Sequence, residues 1–261
     1  MFYRLARQNS HRHRIFDVFG DFCEMLAIEF SQAVDLTQRE QRGARYAALL
    51  QKYDRSERER FAQMTACLVN ALESGMSDCL GTLFMGMDLG NAGTGQFFTP
   101  YEVSRLTAQM TLLGADELIA RKGFITLSEP ACGAGGMVIA AADTLRSMGV
   151  NYQECMHVTA VDIDRTACHM TYIQMSLLHI PGIVIHGNAL APQSPWEQWV
   201  TPAHVLGRWD ERLACARAVE AMRALLVDDP AHHPGADDAP PPAKTGPDCP
   251  NRRAATQMAL F

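Results

Sequence analysis

The chain has 261 residues, of which 48% are hydrophobic and 20% are charged, and its formal net charge is −6. This hydrophobic fraction supports a sizeable core and excludes a wholly disordered protein. The acidic balance excludes a non-specific nucleic-acid coat and leaves room for a local basic face. Eight cysteines are scattered without a C-x-x-C pair, so we expect reduced thiols rather than a disulfide framework or a zinc module.

Membrane insertion and export are not indicated by the sequence. No stretch approaches the roughly 20 apolar residues of a membrane span. Residues 1–16 carry charge but no apolar signal-peptide core. We therefore expect a cytoplasmic protein that does not enter a membrane.

Residues 1–90 have a pattern typical of helices, and we predict an N-terminal helical region over this range. Apolar residues recur there at helical spacing: Ile15, Phe16, Phe19, Phe22, Cys23, Leu26 and Phe30. Two further helices are predicted over 39–53 and 57–72, because neither proline nor a β-branched run interrupts them.

A basic cluster near the N-terminus has two interpretations. Its members are Arg4, Arg7, His11, Arg12, His13 and Arg14. The cluster could contact phosphate, but the net negative charge of the chain favours a solvated helix face. The histidine pairs at 11/13 and 232/233 lack further ligands, so we predict no metal site.

From about residue 91 the pattern changes to alternating strands and helices. Thr99 followed by Pro100 is typical of a helix start, with threonine as the N-cap and proline in the first turn. Helices are predicted over 101–113, 137–148, 165–178 and 208–227, and short strands over 124–127, 157–161 and 183–185. This alternation implies parallel βαβ units, so we predict an α/β domain over residues 91–227.

A glycine-rich loop and an acidic strand end carry the chemistry of this domain. Residues 129–136 read EPACGAGG and lie between the first predicted strand and its helix. Glycines there let a ligand approach the backbone closely, and the helix N-terminus offers N–H groups to an anion; an ordinary βα turn is the alternative. Asp162 ends the second strand, where a carboxylate can accept hydrogen bonds from ribose hydroxyls, and Asp164 suits the N-cap of the next helix.

Five segments occur in a characteristic order: DCLGTLF, GQFFTP, SEPACGAGG, VDID and HGNAL. Over residues 78–190 the chain thereby resembles the adenine-N6 DNA methyltransferases, especially the modification subunits of type I restriction systems. The resemblance implies a Rossmann-like class I methyltransferase sheet, S-adenosyl-L-methionine as cofactor, and DNA as partner, bound directly or through a specificity subunit. The cofactor-binding residues that it implies are Phe98, Thr99, Glu129, Ala131, Gly133, Asp162, Ile163 and Asn188.

Two departures from the family pattern bear on activity. Asn188 stands where the family usually has aspartate, which changes the donor and acceptor pattern offered to the cofactor adenine. The family's Asn/Asp-Pro-Pro-Tyr/Phe motif, which holds the flipped target adenine, is not found. The nearest fragment is Ser194, Pro195 and Trp196, and it follows the third strand too closely. We therefore expect a sheet that is truncated after its third strand.

Residues 228–261 form a segment of different composition. Its first part holds seven of the thirteen prolines, with five aspartates against one lysine, which predicts a disordered acidic linker. The chain ends on Gln257, Met258, Ala259, Leu260 and Phe261, which resemble the peptide that binds the bacterial sliding clamp. A tail that docks on its own domain is the alternative.

Two functions from different classes fit these patterns. The first is an S-adenosylmethionine-dependent DNA adenine-N6 methyltransferase of a restriction–modification type, whose base-holding group comes from Trp196 or from a partner chain that completes the sheet. The second is a catalytically inactive, cofactor-binding accessory or decoy, tethered to DNA through a partner or the sliding clamp. Both imply a bacterial protein, with a mobile element as a candidate genetic origin.

Overall fold

The computed structural model describes residues 1–89, 98–227 and 257–259. In these ranges the chain forms twelve helices and a five-stranded sheet. The helices are α1 (Phe2–Asn9), α2 (Ile15–Gln32), α3 (Arg39–Gln51), α4 (Arg55–Ser74), α5 (Cys79–Gly86), α6 (Tyr101–Thr111), α7 (Ala115–Lys122), α8 (Gly136–Ser147), α9 (Tyr152–Cys155), α10 (Arg165–Leu177), α11 (Pro202–Leu206) and α12 (Trp209–Val227). The strands are β1 (Ile125–Glu129), β2 (Met156–Asp162), β3 (Gly182–His186), β4 (Glu197–Val200) and β5 (Gln257–Ala259).

The sheet confirms the α/β fold class. Its strand order is β4-β3-β2-β1-β5, and all neighbours are parallel except β3 and β4. The three predicted strands are present and form the centre of a truncated Rossmann-like sheet, as expected, and β4 and β5 add one short strand at each of its two edges. Both additions are only three or four residues long, and such short segments carry no clear periodicity in the sequence.

The N-terminal helices pack on this sheet domain through α2 and α10. Phe19 and Phe22 of α2 are buried, and so are Met170 and Ile173 of α10. One hydrophobic core therefore runs from the helical region into the layer of helices that covers the sheet. Within the described ranges, no helix has the length and apolar character needed to cross a bilayer.

Side chains from two helices cover the free edge of β4. The Arg42 guanidinium donates a 2.7 Å hydrogen bond to the carbonyl oxygen of Gln198 and lies 3.9 Å from the centre of the Trp199 ring. The Tyr172 hydroxyl donates to the carbonyl oxygen of Val200 at 3.1 Å. These contacts occupy strand carbonyls that would otherwise be open to pairing with another strand.

The other edge of the sheet is formed by the end of the chain. Gln257 pairs with Thr126 and Ala259 with Ser128 in a parallel register. Residues 257–259 are therefore paired with the sheet, whereas a free peptide was predicted. This pairing agrees with the alternative of a tail that docks on its own domain. The predicted linker over 228–256, and Leu260 and Phe261, lie outside the described residues. Sliding-clamp binding stays a prediction.

Deleting residues 257–261 is expected to speed amide exchange in β1, because the strand then loses a hydrogen-bonded neighbour at one edge. Hydrogen–deuterium exchange followed by mass spectrometry measures this in intact and shortened protein. A peptide from β3 serves as the internal control. Unchanged exchange over residues 125–129 would contradict pairing of β5 with β1 in solution.

Candidate cofactor site

The carboxyl ends of β1, β2 and β3 lie side by side and are joined by backbone hydrogen bonds. The Cys132 amide donates to the carbonyl oxygen of Val161 at 2.9 Å. The Gly187 amide donates to the carbonyl oxygen of Asp162, also at 2.9 Å. The parallel order thus brings the predicted residues Glu129, Asp162 and Asn188 to the same end of the sheet. We call this carboxyl end of β1, β2 and β3 the cofactor edge.

Asp162 organises the loop after β1. One of its carboxylate oxygens, Oδ2, accepts the Gly133 amide at 2.8 Å, and the other, Oδ1, accepts the Asp164 amide at 2.9 Å. Burial raises the pKa of Asp162 above its usual value, and the nearby Asp164 charge acts in the same direction. Each oxygen still has acceptor capacity for a hydroxyl group. Asp164 itself accepts the Ala167 amide at 2.9 Å, so its predicted role as the N-cap of α10 is confirmed.

Gly133 sits where the loop meets the aromatic ring of Phe98. Its φ is +53°, and a Cβ there would lie 2.8 Å from Cδ1 of Phe98. Only glycine fits this combination of left-handed backbone and close approach. Phe98 is half-buried, with its ring centre 5.2 Å from that of Phe84, and Thr99 is exposed. The predicted N-cap is shifted by one position, since Pro100 rather than Thr99 caps α6.

Glu129 is a buried carboxylate with one oxygen left over. The side chain is 1% exposed, and Oε1 accepts the Ala131 amide at 3.1 Å. Its Oε2 is also buried and has no hydrogen-bond partner among the described groups. Burial raises the pKa of Glu129, and the Asp162 charge adds to the shift. Such an oxygen is costly unless a donor from a ligand reaches it.

The remaining predicted cofactor residues lie at the surface of this edge. Ile163 is 65% exposed, directly beside Asp162. Asn188 is exposed, and its Oδ1 accepts the Leu190 amide at 2.9 Å, which leaves its Nδ2 as the group that can face a ligand. Ala131 is exposed as well.

The buried side chain of Gln174 holds the glycine-rich loop through hydrogen bonds, and the sequence does not indicate this residue. Its side chain is fully buried, and Nε2 donates to the carbonyl oxygen of Ala134 at 2.7 Å and to Oδ1 of Asp78 at 2.9 Å. Its Oε1 accepts the Leu80 amide at 3.1 Å. Gln174 therefore ties the start of α5 to the glycine-rich loop. No sequence pattern signals this role, because Asp78 and Gln174 lie 96 residues apart.

The nearest fragment to a catalytic motif lies between β3 and β4. Ser194 is exposed, and the Trp196 amide donates to the carbonyl oxygen of His186 at 2.9 Å. The Trp196 side chain is 56% exposed, whereas Trp199 is 3% exposed and packs on Tyr172. Of the two tryptophans, only Trp196 is accessible to a ligand.

The strand after β3 is β4, and it is followed by a polar residue and a proline, Thr201 and Pro202, as in the first half of the missing motif. Because β4 is antiparallel, it carries Thr201 to the amino end of β3, where the Thr201 amide donates to the carbonyl oxygen of Gly182. The Thr201 hydroxyl is fully buried and donates to the carbonyl oxygen of Ile180 at 3.0 Å. Within the described ranges, no polar-Pro-Pro-aromatic run stands at the cofactor edge.

The chain is similar to known proteins in a range that includes the cofactor edge. Residues 86–206 match the family model for N-6 DNA methylases. A solved structure from Listeria monocytogenes, provisionally described as a class I S-adenosylmethionine-dependent methyltransferase, aligns at 17% identity with a TM-score of 0.41. That alignment covers 73% of this chain and 53% of the other, so this chain spans about half of its length. No curated protein matches the sequence.

The family match implies S-adenosylmethionine as the cofactor, and the residues at the sheet edge fit it. The unpartnered Oε2 of Glu129 can accept from an ammonium group, which the methionine part of the cofactor carries. The free acceptor capacity of Asp162 suits ribose hydroxyls. The exposed Ile163 offers an apolar surface to a flat base.

Glu129→Gln is expected to stabilise the protein near pH 7 by on the order of 1 kcal/mol, because a neutral amide costs less to bury than a carboxylate with an unpartnered oxygen. In the parent, the raised pKa of Glu129 means that the contribution of this one group to stability falls as the pH rises above about 4.3, the usual pKa in the unfolded chain. The gain should therefore shrink towards pH 4. Thermal unfolding across this pH range measures it.

Glu73→Gln, at an exposed glutamate near the end of α4, is the matched control and should show no such pH-dependent gain. A Glu129→Gln protein that is no more stable than the parent at neutral pH would contradict the costly burial of this carboxylate.

Proposed function

We propose that this chain binds S-adenosylmethionine at the carboxyl ends of β1, β2 and β3 and serves DNA adenine-N6 methylation of a restriction–modification type. The observation that carries the proposal is the buried carboxylate of Glu129 next to the partly buried carboxylate of Asp162, both of which keep free acceptor capacity beside the Gly133 loop. The match of residues 86–206 to N-6 DNA methylases supports DNA adenine as the substrate class.

Each residue of the edge has a distinct part in binding. Asp162 accepts the ribose hydroxyls, Glu129 accepts the ammonium group, and Ile163 packs on the adenine ring. Asn188 donates from Nδ2 to an acceptor of that ring, where an aspartate would have offered only acceptors. Phe98 and Thr99 close over the ligand from the start of α6. When bound, the cofactor supplies an activated methyl group.

The direction of β4 favours a cofactor-holding accessory over a self-sufficient enzyme. The N6 amine of adenine is a weak nucleophile, because its lone pair is delocalised into the ring, so a transferase must hold the amine with acceptors beside the methyl donor. Thr201 is the polar residue that follows β4. It lies at the amino end of β3, whereas Asp162 lies at the carboxyl end of β2. We therefore propose that the group that holds the target base is contributed from outside the described residues, for example by a partner chain.

Calorimetric titration with S-adenosylmethionine, followed on the same sample by transfer of labelled methyl groups to mixed-sequence DNA, tests the proposal. We expect binding without transfer when this chain is alone. Binding with transfer would establish a self-sufficient methyltransferase and overturn the accessory role. Absence of binding would overturn the cofactor site itself.

Asp162→Ala is expected to weaken S-adenosylmethionine binding by about 100-fold, since two hydrogen bonds to a charged acceptor are lost together. Asp162→Asn keeps one acceptor oxygen and should give a smaller loss. Calorimetry measures both, with Asp116→Ala on the exposed surface of α7 as the control. Parent-like affinity in a folded Asp162→Ala protein, checked by circular dichroism, would show that the pocket assignment is wrong.

A further inference from the structure

The second half of α12 is exposed to solvent in the described chain. The helix is anchored at its start, where Trp209 is fully buried and meets the Phe124 ring edge-to-face at a centroid distance of 5.2 Å. From residue 217 to residue 225, in contrast, every side chain is exposed. Helices shorter than about 12–15 residues are marginal in water unless they pack on another element. This part of α12 therefore lacks the packing that a short helix normally requires.

The exposed part of α12 has an apolar stripe. Cys215, Val219, Met222 and Leu225 are spaced so that they share one face of the helix. The exposed fraction rises along this face, from 43% at Val219 to 66% at Met222 and 76% at Leu225. An apolar stripe on a helix normally faces a core, so its exposure here indicates a surface that another element covers.

This stripe borders a groove between α12 and the end of α7. The groove has a volume of about 510 Å³, and its apolar lining consists of Phe124, Cys215, Ala216 and Val219. Together with Met222 and Leu225, these side chains form what we call the α12 groove. An apolar groove along a helix is the kind of surface on which a second, amphipathic helix docks, with its anchors at helical spacing.

The charged groups of the α12 groove leave an excess of positive charge. Four basic and two acidic side chains line it, although the whole chain has a net charge of −6. Both acidic groups already form ion pairs, one with Arg208 and one with Lys122. Arg121 and Arg223 have no acidic partner among the described residues. Acidic side chains of a partner would therefore be attracted to both arginines.

The same charges disfavour a second copy of this chain as the occupant. An antiparallel pair of α12 helices, centred on residues 218 and 219, would place Arg212 of one copy near Arg223 of the other. Both arginines lie on the side of α12 that lines the groove, so like charges would meet at two places in a symmetric pair.

The chain's own acidic segment is a poor match for the apolar part of the groove. Residues 228–256 follow α12, but they contain no leucine, isoleucine, valine, methionine or phenylalanine. Burial of such side chains is the main source of affinity in a groove of this kind. A separate protein is therefore the occupant that fits both the apolar lining and the charge.

The α12 groove lies away from the cofactor edge. Phe124 directly precedes β1, whereas Glu129 ends that strand at the cofactor edge. At about 3.3 Å per residue, the length of β1 separates the two sites by roughly 17 Å. A helix seated in the groove would therefore attach this chain to an assembly without touching the cofactor.

We propose that the α12 groove binds an amphipathic helix of a different protein, whose apolar face is flanked by acidic side chains. The apolar face fills the groove beside Val219 and Met222, and the acidic flank pairs with Arg121 and Arg223. The inference goes beyond the proposed function, because neither cofactor binding nor the group that holds the target base enters into it.

Fluorescence anisotropy of the full chain with two labelled, synthetic helical peptides tests the proposal. Both peptides have about 18 residues, close to the length of α12, with leucines along one face. The residues that flank the leucines are glutamates in one peptide and lysines in the other. We expect the glutamate peptide to bind about tenfold more tightly, because its flank is attracted to the groove and the lysine flank is repelled. Equal affinity for the two peptides, or binding of neither, would overturn the proposal.

Three variants separate the apolar part of the interaction from the charged part. Met222→Glu should weaken binding of the glutamate peptide about tenfold, because it puts a charge into the apolar stripe. Arg223→Glu should shift the preference towards the lysine peptide, an effect that poor folding would not produce. Met148→Glu, at an exposed methionine outside the groove, is the matched control and should bind as the parent does. A preference that Arg223→Glu leaves unchanged would contradict the proposal.

Two results would assign the groove to another occupant and so overturn the proposal. The first is a parent chain that is dimeric in sedimentation equilibrium while Met222→Glu is monomeric, which would identify a second copy. The second concerns the five aspartates in residues 228–248. If changing them to asparagine tightens binding of the glutamate peptide more than about tenfold at about 0.15 M salt, where long-range repulsion is screened, the chain's own segment is the occupant.

Calorimetry with S-adenosylmethionine distinguishes this inference from the proposed function. Met222→Glu should bind the cofactor as tightly as the parent, because the two sites lie at opposite ends of β1. Failure of cofactor binding in the parent would contradict the proposed function and leave the peptide results unaffected.

Discussion

The hydrogen bond from the Gly133 amide to Asp162 is the interaction on which the cofactor edge depends. It joins the loop after β1 to the end of β2, and it forms because parallel strands bring their carboxyl ends to the same edge. The second oxygen of Asp162 stabilises the turn that leads into α10. The conformation of both the loop and the turn therefore depends on one carboxylate, which is kept partly buried although burial raises its pKa.

The second constraint is the burial of polar groups around this loop. The Gln174 amide forms hydrogen bonds with three groups, two at the start of α5 and one in the glycine-rich loop. Both its nitrogen and its oxygen therefore have partners. Glu129, in contrast, keeps one oxygen without a partner. In a well-packed core such an oxygen is a cost to stability, so its presence at a strand end, beside Asp162, is typical of a site that is completed by a ligand.

The two outer strands of the sheet are covered in different ways. At one edge β4 turns back antiparallel to β3, and Arg42 and Tyr172 cover its outer carbonyls. This direction places Thr201 beside Gly182 at the amino end of β3 and Trp196 beside His186 at its carboxyl end, because the start of an antiparallel strand lies beside the end of its neighbour. At the other edge the terminal residues 257–259 pair with β1.

The sequence by itself determined the parallel βαβ core, the glycine-rich loop, the acidic end of β2 and the N-cap at Asp164, because these features are local and each has its own spacing or residue type. Thr99 was placed one residue from the true cap, since caps depend on exact backbone geometry. The tertiary structure alone decided the direction of β4, the pairing of the tail with β1, the support from Gln174 and the groove between α7 and α12. Each of these joins residues far apart in the chain, and such contacts follow from how elements pack rather than from any local pattern.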